Sequence, residues 1–257
     1  MPSQNMRERF TEVAADLLDT DERIAVVLAE ISAERLTEAG ERHPGRVINV
    51  GIREQLLVSL AGGLALAGLR PIAHSFASFL VERPFESVKL DFGHQDSGGV
   101  LVSSGASYDI PTGGRTHQSP GDVALIDTLP GWRILVPGHA QEAERALRAA
   151  ARTDERVYLR LSEQANADPH PVEGITVLRS GGRGMVLAVG PVLDRVLQAT
   201  AGLDLTVAYT ATARPLDVAT LRAIAERDVL VVEPYLQGTS THVLAEALAD
   251  RPRRIAA

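Results

Sequence analysis

The 257-residue sequence contains no cysteine, which excludes disulfides, thiolate metal sites and cysteine nucleophiles and fits a reducing cytoplasm. Aromatic residues are scarce, at 4% of the chain with only five phenylalanines, so a pair of them in one short stretch stands out. No apolar run approaches the length of a membrane span, and the N-terminal Met-Pro-Ser-Gln-Asn-Met-Arg-Glu-Arg lacks the apolar core of a signal peptide. A cytoplasmic location without membrane contact is the expectation. Basic residues are not in excess: 26 Lys and Arg face 33 Asp and Glu, and the net charge of −7 argues against nonspecific nucleic-acid binding. Internal repeats, low-complexity segments and long charge runs are also missing. What is present is the ordinary composition of a globular protein, 45% hydrophobic and 23% charged, in a length that suits one large or two medium domains.

Phe10, Val13, Ala14 and Leu17 recur at three- and four-residue spacing and predict an amphipathic helix over 6–18. The short unbroken apolar run 24–29 reads as a strand buried on both faces. Further strands are predicted at 46–50, 71–75, 99–104, 132–136 and 156–160. Helices are predicted over 33–41 and 55–69, from Phe76 onward, and up to about Ala151. Such alternation predicts a mostly parallel sheet covered on both faces. The segment 166–174, rich in proline and poor in apolar residues, reads as a linker. A second unit follows, with strands at 185–189, 205–209 and 229–232 and helices near 192–201, 218–227 and 240–250. The expected class is α/β, with two doubly wound domains over 1–165 and 175–257.

Three stretches carry the chemistry. Asn49-Val-Gly-Ile-Arg-Glu-Gln55 places Glu54 where a strand gives way to an alanine- and glycine-rich helix. A carboxylate there is costly to bury without a partner, although facing the helix dipole is a sufficient structural role. Phe76 and Phe79, three apart, are expected to share a helix face, where core packing alone would also account for them. Gly114-Arg-Thr-His-Gln118 lies in a loop, 105–119, whose Gly, Pro, Ser and Thr content argues against regular structure. Loops that carry His and Arg on a rigid scaffold concentrate function, though a lone loop histidine is usually just solvated.

Together these stretches resemble the transketolase family of thiamine diphosphate enzymes, specifically its pyrimidine-binding domain followed by its C-terminal domain, over 6–249. The resemblance implies a thiamine diphosphate-binding fold of the pyrimidine type. It implies that Glu54 hydrogen-bonds the N1′ nitrogen of the aminopyrimidine and so favours loss of the thiazolium proton, the protein tuning a cofactor that does the carbon chemistry. Phe76 and Phe79 become the aromatic wall for the pyrimidine, with Ile52 of the same motif as Glu54 among the cofactor contacts. His117 becomes the group that meets the substrate carbonyl oxygen or moves a proton there. Glu30, at the end of the first strand, falls where the family has an acidic residue near the cofactor, although helix capping explains it equally well. Arg115 and His74 join His117 as candidate substrate contacts, Arg115 as a partner for a carboxylate or phosphate.

The family's Gly-Asp-Gly metal motif for the diphosphate is absent. The resemblance therefore implies a split enzyme: a second subunit carries the diphosphate site and most of the contact to Mg2+, the cofactor bridges both subunits, and the assembly is an α2β2 heterotetramer. This chain would itself hold no metal. Two departures bear on substrate. Gly113 stands where sugar-phosphate transketolases have an acidic residue, and Glu163 stands at their phosphate-binding arginine, although a shift of register would bring Arg160 there instead. A carboxylate would repel a phosphate dianion. The expected activity is transfer of a two-carbon ketol or acyl unit to an aldehyde or ketone acceptor, outside the pentose-phosphate pathway and within specialised metabolism. The β subunit of a 2-oxoacid dehydrogenase and a non-catalytic regulatory partner are the alternatives. The last strand and helix of the C-terminal domain are expected to be shortened or missing.

Overall fold

The structure, a computed structural model, describes residues 5–257. The predicted apolar runs all lie in strands. In chain order these are β1 (Ile24–Leu28), β2 (Val47–Asn49), β3 (Arg70–Phe76), β4 (Gly99–Ser104), β5 (Trp132–Leu135) and β6 (Arg156–Arg160). The chain continues through β7 (Thr176–Arg179), β8 (Met185–Val189), β9 (Thr206–Thr210), β10 (Thr212–Arg214), β11 (Asp228–Val232) and β12 (Arg254–Ala256). One sheet has the order β10-β5-β6-β4-β3-β1-β2 and the other β12-β11-β8-β9-β7. Pairing is parallel except at β10 and β7, each an antiparallel edge strand.

Because a strand's side chains alternate between faces, one run feeds two cores. Ile24, Val26 and Leu28 pack with Phe10 and Leu17 of the helix Met6–Thr20 and with Ala143 and Leu147 of the helix Ala140–Ala151. Val27, Ala73 and Leu101 point the other way, onto Leu57, Val58 and Ala61 of the helix Glu54–Leu66. Both faces of the sheet are thus covered, which explains why β1 and β4 are buried along their whole length. Among the described residues, no helix is long and apolar enough to cross a membrane.

The structure adds detail to the sequence reading at several places. Residues 254–256 form a three-residue strand that pairs parallel with β11. β10 leaves the second unit to pair with β5 of the first sheet, and the Arg214 guanidinium there grips Asp127 with two bonds of 2.8 and 2.7 Å. Within the segment 166–174, which holds no helix or strand, buried Asn166 bonds Gly138 and Gly190. Finally, Phe76 ends β3 rather than opening a helix, and the next segments, Ser78–Glu82 and Val88–His94, are wound as π-helix around a short α-turn at Phe85–Ser87. Such widened turns often mark functional sites.

Candidate active site

The C-terminal ends of parallel strands are where doubly wound sheets place ligands. At the end of β2 the Asn49 carboxamide oxygen accepts the backbone N–H groups of Glu30 and Gly51, at 3.1 and 3.0 Å, clamping β1 to the turn that follows. Gly51 takes a left-handed φ of 72°, which a side chain would resist, and this turn delivers Glu54 as the first residue of its helix. Glu54 is 1% exposed. Its carboxylate accepts an N–H from Arg83 at 2.5 Å and the Ser75 hydroxyl at 3.5 Å. Burial of this charge is made tolerable by that pair and by the helix N-terminus.

Next to it stand three rings. Phe76 and Phe79 meet edge to face at 6.1 Å between centroids, and His117 lies 5.0 Å from Phe79 and 6.0 Å from Phe76. The phenylalanines come from a strand end and a π-turn, so they meet without sharing a helix face. The loop carrying His117 contains a 3-10 turn at Pro111–Thr116, regular structure that its composition concealed, and Ser78 bonds the Thr116 carbonyl at 3.3 Å. A Cβ built on Gly113 would sit 2.7 Å from the His117 ring, so the glycine is what lets the imidazole seat itself there.

The remaining candidates are distributed unevenly. Glu30 is exposed at the mouth, left-handed at φ 66°, with Oε1 3.4 Å from the Asn49 amide nitrogen. Ile52 projects 70% exposed beside Glu54. Arg115 lines an open cavity of about 430 Å³ together with Glu82, Tyr108 and Gln118. His74 is a correction. It is fully buried, stacked 4.4 Å from Phe10, with Nδ1 on the Val102 carbonyl at 2.8 Å and Nε2 on Ser32 at 3.0 Å, so both nitrogens are committed inside the core rather than offered to a substrate.

Burial holds the His74 pKa down at about 3, from an ordinary 6.5, with the Val102 carbonyl opposing and Arg7 adding a little. Between those values the unfolded chain binds a proton that the folded chain refuses, so stability falls as pH drops. The expected loss from this residue is about 2 kcal/mol at pH 5 relative to pH 7. Urea denaturation at the two pH values should show that difference shrinking in His74→Asn; an unchanged difference would mean that His74 titrates normally.

Two arginines at the site carry no signal in the sequence. Arg83 is the partner of Glu54, and its position just before Pro84 does not announce that pairing. Arg7, half-buried, donates to Ser32 at 2.9 Å and lies 5.9 Å from the Phe76 centroid; burial, then neighbouring Arg35, depresses its pKa, while Glu34 and Glu163 oppose. Arg160 is locked to Asp122 at 2.7 Å with its side chain 1% exposed, and Glu163 is exposed. Among the described residues no group of three or more His, Asp or Glu side chains is placed to hold a metal ion.

The mostly parallel sheet thus sets a buried carboxylate at a helix start and a cluster of two phenylalanine rings and an imidazole near the end of β3. Comparison with known proteins gives the class: the family "Transketolase, pyrimidine binding domain" matches residues 3–168, and the chain belongs to the transketolase family. It is 49% identical, over 98% of its length and 82% of the relative's, to an "Uncharacterized 33.6 kDa protein in fasciation locus" of Rhodococcoides fascians. It is 31% identical, over 95% of its length and 82% of the relative's, to one of the subunits of apulose-4-phosphate transketolase from Actinobacillus succinogenes. It is 30% identical to 1-deoxy-D-xylulose-5-phosphate synthase of Acidovorax sp. (strain JS42), over 96% of its length but only 41% of that protein's. A solved structure described as a split gene transketolase, inactive β4 tetramer, superposes with a TM-score of 0.86 at 25% identity, covering 99% of this chain and 88% of that one. The span of the chain thus matches that of one subunit of a split transketolase.

The residues present fit the pyrimidine half of thiamine diphosphate, the cofactor of this family. They offer a buried carboxylate to a ring nitrogen and aromatic faces to the ring.

Proposed function

We propose that this chain is the pyrimidine-binding subunit of a split, cytoplasmic enzyme that transfers a two-carbon ketol or acyl unit to an aldehyde or ketone acceptor. The observation that carries the reading is the buried Glu54 carboxylate, linked through Arg83 to Phe79 and the ring cluster it forms with Phe76 and His117. When bound, thiamine diphosphate supplies the carbon nucleophile for chemistry at a carbonyl carbon. In this reading Glu54 holds the proton at the ring nitrogen it faces, while Phe76 and Phe79 orient the ring and keep water from it. Glu30 and Ile52 border the cofactor at the mouth. His117 gives or takes a proton at the substrate oxygen. Arg7, held by neutral Ser32, offers positive charge to an anionic substrate, and Arg115 offers more from the adjoining cavity. Gly113 and exposed Glu163 support acceptors other than pentose phosphates.

A second polypeptide, in an α2β2 assembly, brings the diphosphate site and Mg2+. Ile52, Leu56, Leu66 and Leu90, 44% to 70% exposed, lie on or beside the Glu54 helix and offer apolar side chains for a partner to cover. The test is calorimetric titration of thiamine diphosphate with Mg2+, first on this chain and then on its mixture with the polypeptide encoded beside its gene. Binding is expected only in the mixture and should vanish in Glu54→Ala. Tight binding by the chain alone would overturn the split site, and binding by neither would overturn the cofactor reading.

A further inference from the structure

Two of the three groups assigned above to the aminopyrimidine, Glu54 and Phe79, are engaged by a side chain of the protein itself. The Arg83 guanidinium donates to Glu54 Oε2 at 2.5 Å and its central carbon lies 4.2 Å from the Phe79 centroid. A guanidinium is flat, delocalised, stacks on aromatic faces and presents N–H donors to a carboxylate. A protonated aminopyrimidine does the same with the same two partners. We propose that Arg83 is a built-in placeholder: it holds the pyrimidine seat in the free chain, and cofactor binding displaces it. This rests on the cofactor reading of the site.

The physical need for a placeholder comes from Glu54. With its side chain 1% exposed, an empty seat would leave a buried charge uncompensated, which is costly until something with an N–H arrives. Arg83 meets that need and is also suited to leave. Its side chain is 38% exposed, so the long stem reaches in from the surface and its head can return to water. It sits where the π-wound segment Ser78–Glu82 ends and Pro84 interrupts the helix, and no second carboxylate holds it there in an ion pair among the described residues. A cofactor that must first displace Arg83 binds with an affinity reduced by the fraction of chain whose seat is open.

The experiment compares thiamine diphosphate affinity, by calorimetry with Mg2+ in the mixture with the second polypeptide, for the wild type, Arg83→Ala and Arg83→Lys. Displacement predicts tighter binding in the order Ala, then Lys, then wild type, with Arg83→Ala at least tenfold tighter. Lysine keeps the charge but loses the stacking plane, and it keeps the comparison informative if the alanine variant does not fold. Methylguanidinium added to Arg83→Ala should refill the seat and compete with the cofactor, while leaving wild-type binding unchanged at the same concentration. A purely structural Arg83 would give weaker binding on substitution and no competition, and equal or weaker binding in both variants would overturn the proposal. If the wild-type mixture itself binds no cofactor, the parent reading falls instead, so the two failures are distinguishable.

Discussion

Replacing Glu54 by glutamine in the assembled enzyme is expected to lower turnover about 10²- to 10⁴-fold, the contribution typical of a positioned proton-transfer group. The amide has the size of the carboxylate and can still accept from Arg83 and Ser75, so the fold should persist. Its oxygen, however, is a far weaker base than a carboxylate, and the ring nitrogen it faces loses its proton partner. Loss of the ion pair itself should matter less, because Arg83 is partly in water and can be solvated when its partner goes. The diagnostic result is therefore a large fall in kcat with an unchanged circular dichroism spectrum and a melting temperature within a few degrees. Turnover within tenfold of the wild type would remove Glu54 from the chemistry and return it to the role of a helix-start carboxylate.

Arg160→Met is expected to cost about 3–5 kcal/mol of stability, the range for removing one member of a buried ion pair. Asp122 is 0% exposed and takes three donors, the Arg160 Nε at 2.7 Å, the Tyr158 hydroxyl at 2.6 Å and the Val123 N–H at 2.9 Å. Without Arg160 its charge stays buried with hydrogen bonds but no counter-ion. Asp122→Asn should also be costly, because it strands the buried Arg160 charge in turn, although the amide oxygen can still accept from Tyr158. The effect should also reach the site loop, because Arg160 donates to Ser107 at 2.7 Å and Ser107 in turn bonds the Pro234 carbonyl of the second unit. Urea denaturation of the variants measures the cost. A value under about 1 kcal/mol would mean that Asp122 finds water or another partner, and Arg160 would again be available to a substrate anion. Glu163→Ala, at an exposed position, is the control and should leave stability nearly unchanged.

These two experiments fall on opposite sides of what a sequence can reveal. Glu54, Phe76, Phe79 and His117 stand out in the sequence through the family motifs their segments resemble, and in the structure the three rings meet while Arg83 links Glu54 to Phe79. Arg115 shares His117's segment, yet the 3-10 turn there sends the one to the open cavity and the other to the rings. His74 reads in the sequence as a strand-end residue beside the site. Whether its ring faces ligand or core depends on Ser32, 42 positions away in the chain, and on Phe10, which is farther still. Arg83 requires the π-winding of 78–82, which no apolar period announces. Arg7 requires the N-terminal helix to lie against the strand that ends at Phe76.

By itself the sequence determined the alternation of buried strands and covering helices, because apolar periodicity is a property of neighbours in the chain. It likewise determined the residue types offered at the strand ends. Only the tertiary structure decided which of those residues share a site, which strand crosses from the second unit to close the first sheet, and which charges are paired out of reach. Those outcomes depend on long-range packing and on the cost of leaving a buried polar group without a partner, and neither is written in local spacing.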